Sequence, residues 1–424
     1  MAQAANASAL WRTLKIPNYR NYIGGNFCSQ FGMWVQRIAV QWLTWELTHS
    51  PTWLGIIAFA DFFPNIVMAP LAGALADRLE RLPAIRLYMW ISGCISTALA
   101  VLVLSGAMTI DLLLVMVLLN GTAMAFNYPV RLSLIHALVG RAVLTSAIGI
   151  NALAFNIARI GGPALAGLII FQWGVGPAFA FTAVADVVFI IALYRIQLAA
   201  RETTPQRRPL RQIPAEIMEG FRYARSHPGI GPLLVILMVT TVAARPVNDL
   251  YAGFADDVFG RGADGLAWLT SMLGFGALIG SVYLANRESV HGLTDLLVKS
   301  VLIFVISLIA FTATDIFWFA LICTAFVGVS VVIVGVAEQT LVQAAVASDM
   351  RGRMLSMYTL IARGFPSVGA LIMGYLASFV GLRWPVFGGA VICLGLWVWA
   401  RGRQAQMEKY LEGGPVPTKS EGTP

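Results

Sequence analysis

Four arginines stand inside stretches that are otherwise apolar: Arg37, Arg159, Arg245 and Arg363. Acids occur at comparable depth at Asp61, Asp186 and Asp249, with Glu338 and Glu46 nearer the ends of their stretches. A charge at the centre of a lipid-spanning helix costs at least ~2.5 kcal/mol on insertion scales, so it survives beside a partner, in water, or where it works. Such a set can bind an anion, carry a proton, or form a static ion pair. Spacing sharpens the choice. Gln30, Trp34, Arg37, Gln41 and Trp45 recur every third or fourth position and share one helical face. Thr241, Arg245, Asn248 and Asp249 cluster in the same way, as do Ser356, Thr359, Arg363 and Ser367; Asp61 and Asn65 are one turn apart. With Asn156 and Arg159, these residues read as the lining of a watery path for a small molecule, and Asp61, Asp249, Glu338 and Asp186 as candidate proton carriers.

The elements that carry them must be membrane helices. Of 424 residues, 58% are hydrophobic and 12% charged, where soluble domains hold about 25% charged. The mean hydropathy of +0.75 spans the whole chain. Apolar runs of about 20 residues, the length that crosses a ~30 Å hydrocarbon core, place twelve spans at 21–46, 52–76, 84–105, 110–128, 145–171, 177–198, 230–255, 265–285, 295–314, 316–342, 354–380 and 384–401. Nearly all loop lysines and arginines then fall on one side, the other holding only Arg261 and Arg383. That bias puts both termini in the cytoplasm, in a bacterial-type inner membrane. It also accounts for the net charge of +8 through anionic lipid rather than nucleic acid. The polar stretch 199–229, with a basic Pro-rich start and an amphipathic helix around Ile217 and Phe221, divides an N-terminal six-helix bundle (1–198) from a C-terminal one (230–403); 404–424 reads as a disordered tail. The fold class is therefore an all-α membrane protein of twelve transmembrane helices in two bundles.

Other chemistries lack their residues. The four cysteines and four histidines are dispersed with no ligand spacing, so no metal is expected, and no phosphate-binding loop or other cofactor motif is present. No nucleophile and base pair points to an enzyme. Nothing in the first 20 residues reads as a cleaved signal peptide.

The two halves echo each other. Ile157-Ala158-Arg159 precedes Pro163 in the fifth span, and Ile361-Ala362-Arg363 precedes Pro366 in the eleventh; the first and seventh spans carry Arg37 and Arg245. These positions pair the four arginines by symmetry and point to an internal duplication, a common construction of transporters.

The loop Gly73-Ala74-Leu75-Ala76-Asp77-Arg78-Leu79-Glu80-Arg81 resembles the major facilitator superfamily signature G-x-L-A-D-R-x-G-R-(R/K), departing at Glu80 and Leu82. The resemblance implies two pseudo-symmetric bundles that rock about a central path, with Gly73, Asp77, Arg78 and Arg81 in the gating loop. Gly162-Pro163-Ala164-Leu165-Ala166-Gly167 is similar to the GPxxGG motif of proton-coupled antiporters, with Ala166 replacing one glycine; the resemblance implies that Gly162, Pro163 and Gly167 bend the helix and let it pack closely. Pro17-Asn18-Tyr19-Arg20-Asn21-Tyr22, Thr48 to Gly55 and Arg351 to Ser356 resemble the branch containing enterobactin and macrolide exporters. The fourth span departs from that pattern, offering Asn120-Gly121 where many proton antiporters carry an arginine. The resemblance implies a monomeric, proton-coupled exporter of a small amphiphilic molecule, siderophore or drug. The alternatives are an importer, a facilitator or a lipid flippase on the same fold and, more remotely, a membrane enzyme or receptor.

Overall fold

The structure, a computed structural model, describes residues 11–76, 80–140, 143–197, 213–287, 289–346 and 350–413. Its helices in chain order are α1 Pro17–Thr48, α2 Pro51–Ala76, α3 Arg81–Leu104, α4 Ile110–Leu138, α5 Leu144–Trp173, α6 Val175–Tyr194, α7 Ile213–Ser226, α8 Ile230–Ala243, α9 Gly262–Ala285, α10 Leu293–Ala313, α11 Phe317–Ala345, α12 Arg351–Val380 and α13 Arg383–Leu411. Prolines open α1 and α2, where a missing N–H costs nothing. Gly174 and Gly381, at φ 84° and 82°, close α5 and α12 in a backbone region that disfavours a side chain. Eleven of the described segments are long and apolar enough to cross a membrane. The remaining long helix, α1, falls short because it holds the polar face of Gln30, Arg37 and Gln41.

Three spans depart from their expected limits. The fourth was expected to end at 128, but α4 continues to Leu138 and takes Arg131 into the helix. The seventh is not one helix: α8 stops at Ala243, Arg245–Leu250 is a 3-10 segment, Tyr251–Gly253 is a single α-turn, and Phe254–Val258 winds as a π-helix. Pro246, which cannot donate a backbone hydrogen bond, stands at this break. The last helix runs through the expected start of the disordered tail at 404 and ends at Leu411, because Gln404, Met407 and Leu411 are buried. Residues 414–424 and most of the stretch before α7 lie outside the described residues.

The chain forms two compact units. The first comprises 1–49, 60–210 and 261–271; the second comprises 50–59, 211–260 and 272–424. Each therefore takes a short piece of a span from the other half of the sequence, which the division at 199–229 did not anticipate. The first unit is cored by Tyr19, Tyr22, Ile85, Met89, Leu134, Phe189 and Leu193. Gly25 lets α1 close on α6: a Cβ there would lie 2.7 Å from atoms of Phe189 and Ala192. In lipid, small residues of this kind allow the close packing that holds helices together. In the second unit, a Cβ on Gly55 would stand 2.5 Å from the Ala370 carbonyl oxygen, which is why the start of α2 groups with α12. Gly276 and Gly280 pack against the α11 backbone at Ala325 and Val329.

Candidate functional site

In the first unit, α1 and α2 set a guanidinium between two aromatic rings. The Cζ of Arg37 lies 5.7 Å from the ring centroid of Trp34 and 5.4 Å from that of Phe62, within range of cation–π attraction. Arg37 is also the charge whose field reaches Asp61, a half-buried acid on α2. Trp34 stacks at 6.0 Å on Phe155 of α5, and Gly162 of the same helix permits the approach, since a Cβ there would come 2.5 Å from the Trp34 Cβ. Trp34 Nε1 and Gln30 Oε1 are buried with no hydrogen-bond partner among the described residues. Gln41 is half-buried on the same helix. On α5, Arg159 is half-buried and makes no ion pair or hydrogen bond among the described residues, while Asn156 is occupied by the Ala152 carbonyl. To Trp34 and Arg37, which the sequence set on one face with Gln30, the structure adds contacts from Phe62 and Phe155, whose aromatic character was indistinguishable from ordinary core in an apolar sequence. Trp45, on the same expected face, is fully buried packing against His49.

A second polar group in this unit gathers around Asp186, which the sequence offered as a candidate proton carrier without showing its partners. Asp186 on α6 is buried and accepts hydrogen bonds from Ser29 at 3.2 Å and Ser92 at 2.8 Å. Arg131 acts on it electrostatically from α4 and packs 5.4 Å over Phe189. Arg131 falls just beyond the expected end of the fourth span at 128, but it lies within α4.

In the second unit, Arg245 begins the 3-10 segment and Asn248 Oδ1 within it is buried without a hydrogen-bond partner among the described residues. Asp249 is buried beside it. Thr241 is turned inward, its hydroxyl donating to Leu237 and Met238 carbonyls at 2.6 and 2.9 Å, so it offers a path nothing. Glu338 on α11 is fully buried, while Ser356, Thr359 and Arg363 form an exposed stripe on α12. Of the gating loop, Gly73 lies in the last turn of α2 and Arg81 opens α3; Asp77, Arg78 and the Asn65 side chain are outside the described residues. Gly167 meets Ala267 of α9, where a Cβ would come 2.3 Å from the alanine methyl, and Pro163 lies inside an unbroken α5.

The matched tripeptides are not in register. Both α5 and α12 have 30 residues and end at a positive-φ glycine, but Arg363 lies twelve residues after the first residue of α12, where α5 has Asn156. Arg159 instead corresponds to Pro366. The helices are equivalent; the two arginines are not.

Residues 8–410 match the family model described as transmembrane secretion effector. The chain belongs to that family of major facilitator transporters. Among this family's relatives, the chain is 22% identical over 376 residues to a staphyloferrin A transporter of Staphylococcus aureus, covering 88% of this chain and 93% of the relative. It is 23% identical over 370 residues to the enterobactin exporter EntS of Escherichia coli, covering 86% of each. In fold, the chain is similar to a bacterial homolog of the human lysosomal transporter Spinster, inward-facing and occupied, with a TM-score of 0.72 at 14% identity over 94% and 98% of the two chains. The nucleoside transporter NupG gives 0.72 at 11% identity over 92% and 98%. The protein is thus a multi-pass transporter of the twelve-helix major facilitator fold, and its relatives are transporters rather than enzymes.

Proposed function

We propose that this transporter exports a siderophore-type anion across the inner membrane, acting as a monomer with cytoplasmic termini and driven by proton entry. The observation that carries the reading is Arg37 held between Trp34 and Phe62, with Trp34 Nε1 buried and unpartnered beside it. An anionic ligand bearing flat or aromatic groups would take a charge-assisted hydrogen bond from the guanidinium and stack on the rings. Arg159 adds a second cation on the same unit. The names of the staphyloferrin A and enterobactin relatives support the siderophore class and, for the second, the outward direction. Proton drive rests on the membrane carboxyls and on the antiporter-like sequence of α5.

Everted membrane vesicles test this directly, with iron-free enterobactin and staphyloferrin A as probes. The reading expects accumulation of at least one probe that requires an inside-acidic pH gradient and disappears in Arg37→Ala. Accumulation only in right-side-out vesicles would make the protein an importer. Equilibration that ignores the gradient would make it a facilitator.

A further inference from the structure

Glu338 stands apart from the other membrane acids of this protein. It is fully buried on α11, and neither carboxylate oxygen has a hydrogen-bond donor among the described residues. One turn earlier on the same helix, Gly335 makes room for Arg245: a Cβ there would lie 3.4 Å from its Nη2. Tyr358 of α12 donates to the Gly335 carbonyl at 2.8 Å. Among the described residues Arg245 is the charge that acts on Glu338, and Arg363 joins it in acting on Tyr358. Of the other helices packed on α11, α8 carries no charge, α9 has Asp264 in its first turn, α10 carries Asp295 and Lys299, which pair with each other at 2.6 Å, and Arg401 of α13 lies 3.9 Å from that same Asp295.

The repeat supplies an internal comparison. Helices α4 and α11 both have 29 residues, and Arg131 and Glu338 each lie eight residues before the C-cap, Val139 and Val346. Each unit therefore keeps one buried acid and arginine centred on the same position of the repeat, with the signs exchanged. In the first unit the acid, Asp186, is held by two serine hydroxyls, donors that favour a fixed anion. In the second the acid has no donor, and an apolar surrounding without donors favours a bound proton. Its arginine stands where the seventh span leaves α-helical geometry, a position where helices commonly hinge.

We propose that Glu338 is the proton carrier of this transporter and that Arg245, on the break of the seventh span, is the charge that expels the proton. The proton comes from water on the outer side, is held as the neutral carboxylic acid, and leaves to water on the inner side as the guanidinium closes on the carboxylate. The carboxyl is restored in each cycle. Asp61, beside Arg37, then belongs to the substrate face. This inference rests on the proton-driven reading above.

The test uses the full chain in everted vesicles with enterobactin as probe, comparing wild type and Glu338→Gln. The expected result is that Glu338→Gln falls to the level seen without a gradient yet still exchanges unlabelled for labelled probe. Gradient-driven accumulation in Glu338→Gln overturns the assignment and leaves proton drive intact. A wild type indifferent to the gradient overturns proton drive itself. Should the variant fail to fold, dicyclohexylcarbodiimide, which attacks buried protonated carboxyls, is applied to the wild type and mapped by mass spectrometry. Acid-favoured labelling at Glu338 supports the assignment; labelling confined to other acids overturns it.

Discussion

Arg37 and Arg159 differ in what surrounds them, and their replacements should differ accordingly. Arg37 is sandwiched by Trp34 and Phe62. Removing a charged hydrogen-bonding group from a ligand site costs about 1.5–3 kcal/mol, roughly 10- to 150-fold in affinity. Arg37→Ala should therefore weaken probe binding within that range, read by equilibrium binding to the purified protein; a change under threefold would remove Arg37 from the site. Arg159 has no ion-pair partner among the described residues, and leucine is favoured in mid-membrane. Arg159→Leu should then purify as folded protein with unchanged thermal stability while losing most flux. Full flux would assign Arg159 a packing role. Since Arg363 corresponds to Asn156 rather than to Arg159, Arg363→Leu has no reason to share the phenotype of Arg159→Leu.

At the scale of elements, the second unit has a clasp at its Lys- and Arg-rich end. The Glu412 carboxylate, just past α13, accepts from the backbone N–H of Gly292 at 2.6 Å and Thr294 at 2.8 Å, closing the start of α10. Orphan N–H groups at a helix start favour an anion. Glu412→Ala should lower stability by about 1 kcal/mol, a Tm shift of roughly 2–4 °C, measured by differential scanning fluorimetry in detergent. No shift would mean that water replaces the carboxylate at no cost. Between α7 and α8, His227 Nδ1 accepts from Gly229 and Ile230 N–H, both at 3.2 Å, so it caps α8 only when that nitrogen is unprotonated. Burial holds its pKa below the ordinary histidine value. With the folded value depressed, the unfolded chain binds the extra proton first. Stability is then complete above about pH 6.5 and declines as pH falls below it. His227→Asn, which keeps a cap acceptor without titrating there, should flatten this acid decline in Tm; an unchanged slope would assign the decline to other groups.

For the whole molecule, the Lys and Arg bias predicts that the α3–α4 loop and the end of α13 face opposite sides. In a background lacking the four native cysteines, Ala107→Cys should react with a membrane-impermeant maleimide in intact cells, and Gly413→Cys only after permeabilisation. The reverse pattern would invert the topology. The spans themselves were legible in the sequence because crossing a bilayer is decided by each segment's own hydropathy and length, and the loop charges add orientation one loop at a time. The polar face of α1 was legible for a similar reason, since helical spacing fixes which side chains share a side. What lay beyond the sequence was everything that depends on rotation and register between helices. Arg131 entered the bundle only because α4 continued past Pro129, and the paired tripeptides fell out of register once both helix ends were fixed. Asp186 and Glu338 read alike as buried acids. Tertiary packing brought two serine hydroxyls to the first and, among the described residues, none to the second, and hydrogen-bond donors arriving from neighbouring helices favour the charged form of a buried carboxyl against the cost of burial.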